Sequence, residues 1–389
     1  MSAPRSIFVS CGEVSGDVYA AGFLRRLQER EPALAGRVWG MMGPRAEAAC
    51  PDLGNWPHWS YEELQIMGLG EALRALPRIL RLRRAMVRAV MEAQPEAVVL
   101  IDSPDYHLPL ASALRRAGYG GRIVSLIPPT VWAWRSGRTR ALKRDFDLCL
   151  PLFSFEDRFL SERGVRSLWR AHPLASELRG CCAPEELTRR IGGARAIALM
   201  PGSRRYDIKH HLDVLLGTAH ILRDEGYLPV FSIAPGLAAP LADELRERTR
   251  GFETWDGEGR GLLVACRASV GVSGTVAVEA MALRRFMVVI YNVRPLTRVL
   301  LKALVRTPYI SIPNCLTEAP VYPELLCGDA VPERIVKELR RYLEDPVLRA
   351  EVDGRLDRGR EAMGTEDAAD FWAECVIGLC AGRSGGLDG

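Results

Sequence analysis

The feature that most constrains this chain is residues 194–206, Ala-Arg-Ala-Ile-Ala-Leu-Met-Pro-Gly-Ser-Arg-Arg-Tyr. An apolar run too short for a helix stops at Pro201-Gly202, passes through Ser203 and two arginines, and gives way to helical periodicity over 207–222. That order reads as strand, tight turn and helix N-terminus. Gly202 lets a ligand approach the backbone, Ser203 can cap the first free N–H groups, and the helix end carries partial positive charge. With Arg204 beside it, the turn suits an anion, phosphate above all. A merely connecting turn is built the same way, but two further stretches repeat the build. A strand over 268–272 ends in Ser273-Gly274-Thr275 and enters a helix containing Glu279, and a strand over 7–10 ends in Cys-Gly-Glu-Val-Ser-Gly-Asp, residues 11–17, before a helix over 18–29.

Strands expected over 38–42, 97–101, 122–126 and 148–150 alternate with helical stretches in the first half. Such alternation implies a parallel sheet covered on both faces, with ligands beyond the carboxyl ends of the strands. Those ends carry Gly12, Gly43, Asp102 and Pro128-Pro129. Interruptions over 169–184 mark a domain boundary, after which a second set (196–200, 229–233, 268–272, 286–291) begins. The fold class is therefore α/β, two Rossmann-like domains with parallel sheets facing across a cleft that holds the active site. The expected division is 1–172, joined by a C-terminal helical segment over 355–381, against 173–354. At 389 residues, two cores are the natural expectation.

A net charge of +4 is too small for nucleic-acid binding through overall charge. No apolar run approaches the roughly 18–20 residues that span a bilayer. The ten cysteines contain no Cys-x-x-Cys pair, which favours reduced thiols in a cytoplasm, and neither they nor the six histidines have the spacing of a metal site. One segment departs from an ordinary surface. Over 66–90, the apolar residues Met67, Leu69, Leu73, Leu76, Ile79 and Leu80 are interleaved with Arg74, Arg78, Arg81, Arg83, Arg84 and Arg88, a pattern suited to an anionic membrane surface. A core-facing apolar stripe with solvated arginines explains it equally well, and the two readings can divide the segment between them.

Taken together, the motifs resemble a known family, the lipid-A-disaccharide synthases, inverting glycosyltransferases of GT-B architecture. The matching residues are Gly12-Glu13-Val14-Ser15-Gly16-Asp17, Glu62-Glu63-Leu64 with Met67-Gly68, Ile101-Asp102-Ser103-Pro104-Asp105-Tyr106 and Val131-Trp132-Ala133-Trp134-Arg135. They continue with Pro201-Gly202-Ser203-Arg204, Ser273-Gly274-Thr275 with Glu279, and the run 307–314 ending in Asn314. The resemblance implies a donor, UDP-2,3-diacylglucosamine, an acceptor, 2,3-diacylglucosamine 1-phosphate (lipid X), and no cofactor. It also implies peripheral association with the cytoplasmic face of the inner membrane, which gives the 66–90 segment a purpose, and a homodimer with C-terminal exchange. The chain departs from the family pattern at His107, where Asn is usual, at Pro128-Pro129-Thr130, where Ser-Pro-Ser is usual, and at Asp207, where Glu is usual.

Inverting transfer needs a base for the acceptor hydroxyl and positive partners for the departing pyrophosphate. Asp102, at the end of a strand, is the expected base; Asp105 is close enough to share the role, although a turn aspartate bonded to nearby N–H groups explains it better. Arg204 is expected on the pyrophosphate, with Gly202, Ser203, Ser273, Gly274 and Thr275 adding donors. Glu279 is placed to accept ribose hydroxyls or to serve its own helix dipole. Gly12, Ser15, Gly16 and Asp17 would line the acceptor side, and Arg135 would meet a phosphate beside Trp132 and Trp134, which are as readily packing groups. Asn314 is a substrate contact by resemblance alone. Rival readings are a UDP-N-acetylglucosamine 2-epimerase, which has no use for an exposed apolar and basic segment, and a non-catalytic nucleotide-sugar-binding protein. The glycosyltransferase of the peptidoglycan lipid precursor carries a Gly-Gly-x-Gly-Gly loop that residues 12–17 lack.

Overall fold

A computed structural model of the chain describes residues 6–51, 56–64, 69–191, 195–292, 309–317 and 319–382. The chain divides into two units, residues 1–173 with 366–389, and residues 174–365. In the first, six strands form one parallel sheet: β1 (Ile7–Cys11), β2 (Val38–Met42), β3 (Trp59–Ser60), β4 (Ala97–Ile101), β5 (Arg122–Leu126) and β6 (Leu148–Leu150). Their spatial order is β3-β2-β1-β4-β5-β6. The order reverses between β1 and β4, which pair in register from Ile7↔Ala97 to Cys11↔Ile101. A sheet of this order binds ligands where it reverses, because the connections leave to opposite faces and open a crevice at the strand ends.

Alternate residues of β1 and β4 serve opposite faces, as the two-residue period of a strand requires. Ile7, Val9, Cys11, Ala97, Val99 and Ile101 join Phe23, Leu24, Leu27, Trp372 and Val376 on one face. Phe8, Val98 and Leu100 join Met86, Val90, Leu110 and Leu114 on the other. The first layer is completed by the C-terminal helix Ala368–Cys380, which lies along the helix Val14–Arg30 and is tied to it by Arg26 with Asp367 and Arg30 with Asp370. The return to the first unit falls at 365/366, later than the expected 354/355. The helix Pro346–Glu361 packs on Thr275–Ala282 of the second unit, where Gly359 lies against Met281, and this contact keeps it there.

The second unit repeats the plan with β7 (Ala196–Met200), β8 (Leu228–Ser232), β9 (Glu253–Trp255), β10 (Ala268–Val272), β11 (Met287–Tyr291) and β12 (Glu324–Leu326). All are parallel, in the order β12-β11-β10-β7-β8-β9, reversing between β7 and β10. The helices Arg205–Asp224 and Pro332–Glu344 pack together, closely enough that a side chain at Gly217 would meet Pro332. Ile335, Val336 and Leu339 are buried beneath.

In the helix Leu69–Ala93, Leu82, Met86 and Val90 recur at four-residue spacing and are buried in the first unit's core. Ile79 is packed against that same core, which corrects its reading as a membrane-facing residue: it lies on the turn that leads into the Leu82 stripe. Leu76 is half exposed and Leu80 half buried, while Arg78, Arg81, Arg84 and Arg88 are exposed. Met67 and the side chains of Leu69 and Leu73 lie outside the described residues. Among the described residues no helix is long and apolar enough to cross a membrane, and all ten cysteines are free thiols.

Candidate active site

The sequence motifs occupy the two points where strand order reverses. In the first unit, β1 runs into Gly12 and β4 into Asp102. The two turns touch so closely that a side chain on Gly12 would meet Ser103 Oγ at 2.4 Å, which is why glycine stands there. Asp102 and Ser103 both adopt left-handed backbone, with φ of 57° and 45°. Two consecutive non-glycine residues in that region store strain, and such strain concentrates at functional sites. The Asp102 amide donates to the Leu126 carbonyl at 3.0 Å. Its carboxylate accepts from Ser15 Oγ at 3.2 Å across the turn that opens the helix Val14–Arg30. Gly16 is buried behind, close to Ile101 and Asp102. Gly12, Ser15, Gly16 and Asp102 thus converge. Ser103 Oγ is buried and has no hydrogen-bond partner among the described residues.

Asp105 is exposed one turn on, held by Arg135 at 3.2 Å and by Arg138. Both guanidinium groups engage the same oxygen, Asp105 Oδ1, whereas the described partner of the Asp102 carboxylate is a hydroxyl. Arg138 was not expected from sequence; its only trace there is the three-residue spacing from Arg135. Arg135 itself has left-handed backbone and lies 4.3 Å over the Trp134 ring. Trp132 instead packs edge-on to Phe155 and donates from Nε1 to Glu156 at 2.8 Å, a packing role.

Asp17 does not join the site. It is 3% exposed, and its carboxylate accepts from the backbone N–H groups of Gly43, Arg45 and Ala46 at 3.0 Å each, capping the helix Pro44–Ala49. Its assignment as a substrate contact is corrected to that of a cap.

In the second unit, Gly202 has φ of 103°, and a side chain there would lie 2.6 Å from Asp207 Cβ, so the turn requires glycine. Arg204 is the N-cap residue of the helix Arg205–Asp224 in extended backbone. Among the described residues no side chain caps that end, which corrects the expectation that Ser203 would. Ser203 and Arg204 are exposed; the Arg204 carbonyl accepts from the Ile208 amide at 3.1 Å, while its guanidinium makes no hydrogen bond or ion pair among the described residues. A cation and free N–H groups at one helix end are what an anion would satisfy. On the adjoining strand, Ser273, Gly274 and Thr275 open the helix Thr275–Ala282. Glu279, 17% exposed in its side chain, faces Arg260 at 3.7 Å, a partner no sequence pattern announced. Burial raises its carboxyl and Arg260 opposes that. The buried His211 donates from Nδ1 to the Asp207 carbonyl at 2.6 Å and accepts from the Asn292 amide at 2.8 Å, fixing the helix start against β11. Asn314 is 1% exposed and fully used: Nδ2 donates to the Tyr322 carbonyl and to Glu324, and Oδ1 accepts from the Val321 and Tyr322 amides. It shapes its own loop and offers substrate no free group, a correction to the expected contact. Among the described residues no cluster of three His, Cys, Asp or Glu has metal-site geometry.

Two Rossmann-like domains with a carboxylate at one reversal point and an anion-ready turn at the other define a nucleotide-sugar enzyme of the GT-B class. Solved structures agree on the fold. A protein from Listeria monocytogenes described as a candidate UDP-N-acetylglucosamine 2-epimerase superposes with a TM-score of 0.67 at 11% identity, covering 99% of this chain and 98% of its own. A glycosyltransferase from Rickettsia africae does so at 0.57 and 10% identity, covering 99% and 100%. Sequence specifies the family: the lipid-A-disaccharide synthetase model matches residues 7–361. The lipid-A-disaccharide synthase of Pseudomonas paraeruginosa is 34% identical over 98% of this chain and all of its own length. The chain belongs to the lipid-A-disaccharide synthase family, and its activity is formation of the lipid A disaccharide by glycosyl transfer.

Proposed function

We propose that this chain joins UDP-2,3-diacylglucosamine to lipid X by a single inverting displacement, with Asp102 as base and Arg204 as the pyrophosphate partner. The acceptor hydroxyl loses its proton to Asp102 as its oxygen attacks the anomeric carbon, and UDP leaves from the opposite face. The observation that carries the reading is the Asp102 turn. A carboxylate at a reversal point, in strained backbone and with Ser15 its one side-chain partner among the described residues, has free acceptor capacity. Arg204, with the helix ends at 202–205 and 273–275, takes up charge developing on the leaving diphosphate. Glu279 accepts the ribose hydroxyls, and those two donors offset the cost of its burial. Arg135 and Arg138 receive the acceptor's phosphate, which replaces Asp105 as their anionic partner.

Both substrates are acylated, so the enzyme works at the cytoplasmic face of the inner membrane. Leu76 and the exposed arginines Arg78 and Arg81 of Leu69–Ala93 support this, lying at the surface where Leu82, Met86 and Val90 of the same helix are committed to the core. The homodimer with C-terminal exchange rests on resemblance, and the helix Ala368–Cys380 packs here on its own chain. Equilibrium sedimentation, with crosslinking between cysteines introduced at Arg30 and Asp370, reports whether the helix is exchanged.

The deciding experiment mixes the protein with both substrates in detergent and follows UDP and a disaccharide 1-phosphate by mass spectrometry. Wild-type product with a loss of at least about 100-fold in Asp102→Ala supports the base. Normal turnover in that variant removes the mechanism and leaves the family activity standing.

A further inference from the structure

We propose that His107 is the positioning residue that aims the Asp102 carboxylate, acting as a neutral Nδ1–H donor to the Asp102 carbonyl while Ser10 fixes its tautomer; the inference rests on Asp102 being the base. Residues in left-handed backbone relax unless something holds them. Asp102 is held at both ends of its own backbone: its amide donates to the Leu126 carbonyl at 3.0 Å, and its carbonyl lies 2.7 Å from His107 Nδ1. A carbonyl only accepts, so Nδ1 carries the proton. Nε2 is then an acceptor, and Ser10 Oγ, 2.9 Å away, donates to it.

Ser10 lies on β1, on the sheet face covered by the helix Pro104–Arg116 that carries His107, and both residues are buried. The contact therefore ties three neighbouring pieces together: β1, the end of β4 and the helix that follows it. Burial pushes the imidazole down to about 4, and its place in the first turn of a helix also disfavours a cation, so the neutral ring persists at neutral pH. The two backbone bonds of Asp102 fix where its side chain leaves the backbone, and Ser15 Oγ, 3.2 Å from the carboxylate, holds its far end. Ser103 beside it is held through its carbonyl, which accepts from the Tyr106 and His107 amides at 3.0 Å each, while its buried Oγ has no partner among the described residues and restrains nothing.

The test exploits the geometry of amides. From the same Cα, an Asn amide places an N–H close to where Nδ1–H stands, whereas a Gln amide reaches the Nε2 position. His107→Asn keeps the donor to the Asp102 carbonyl and loses Ser10; His107→Gln keeps Ser10 and loses the carbonyl. We expect His107→Asn to retain kcat within about threefold, and His107→Gln and His107→Leu to lose at least about 30-fold with KM for both substrates within about twofold, because a misaimed base slows chemistry without weakening binding. Equal kcat for the Asn and Gln variants, or an Asn variant as slow as Leu, overturns the proposal. Should the Gln or Leu variant fail to fold, the ring-nitrogen NMR shifts of wild-type His107 still decide it: Nδ1 protonated and Nε2 bare is expected, and the opposite tautomer or an imidazolium at pH 7 overturns it. Asp102→Ala runs in the same assay. Loss there with a fully active Gln variant sinks this inference alone, and turnover there sinks the base assignment instead.

Discussion

Asp17 and Asn314 show how little of a residue's role is written in its motif. Both stand in runs that match the family, and both are spent inside the protein on backbone N–H or carbonyl groups. Losing such buried partners costs on the order of 1–3 kcal/mol for each group left unsatisfied. Asp17→Ala and Asn314→Ala are therefore expected to lower Tm by several degrees while sparing kcat of the molecules that remain folded. A full loss of kcat at unchanged Tm would return them to the substrate. Glu156 makes a pH prediction. Burial lifts its carboxyl from 4.5 to about 7 against the bonds from Trp132, Leu152 and Phe153. The folded state thus holds the proton more tightly than the unfolded chain. Its contribution, on the order of 3 kcal/mol, is complete below pH 4.5 and is lost as pH rises through about 7. Buried His107 and His172, pushed down to about 4 and about 3, act oppositely: they favour the fold above pH 6.5 and cease to as pH falls through those values. Melting across pH 5 to 8 should show wild type losing stability relative to Glu156→Gln as pH rises, and a flat difference would refute the buried proton.

At the scale of elements, the long strands were legible because they are five-residue, mainly apolar runs too short for helices, the clearest being Ala196–Met200 closed by Pro201-Gly202. The edge strands β3, β9 and β12 were not, since each spans two or three residues and includes a polar one, whereas the equally short β6 is the apolar Leu-Cys-Leu and could be read. Their pairing comes from the neighbouring strand, which supplies the backbone partners their own side chains do not predict. The helix Leu69–Ala93 is a similar case. Its arginines and leucines were evident, but only packing separates Ile79, on the core, from Leu76, in solvent. Leu76→Glu combined with Arg78→Ser is expected to reduce binding to vesicles containing anionic phosphatidylglycerol at least tenfold in low salt, as an interfacial apolar anchor and a surface cation are lost together. Unchanged cosedimentation would remove this segment from the membrane reading. Ile79→Ala should instead lower stability and leave vesicle binding alone.

For the whole molecule, the second unit is continuous in sequence and the first is not. Residues 174–365 alone are expected to fold and to bind UDP, with affinity falling at least about tenfold in Arg204→Ala through loss of a charge-assisted contact. Ending the chain after Thr365 should do the reverse of harmless trimming. It strips Phe371, Trp372, Val376 and Leu379 from the first core, while the second unit keeps every segment it needs. Calorimetry of the truncated chain should show one cooperative transition where the full chain has two, and two intact transitions would contradict the division.

Apolar period and turn chemistry are local, so the α/β alternation, the two parallel sheets and the glycines at positions 12 and 202 were determined by the sequence itself. The Asp102 and Arg204 turns were legible for the same reason, since a strand end followed by a helix start needs only adjacent residues. What the tertiary structure decided depends on residues far apart in the chain. It set the return of the chain at 365/366, the three N–H groups that claim Asp17, the Arg138 and Arg260 partners, and the His107 contact that joins Ser10 to Asp102. Those are pairings across tens to hundreds of residues, and no local pattern encodes which donor will meet which acceptor once two sheets have closed around their helices.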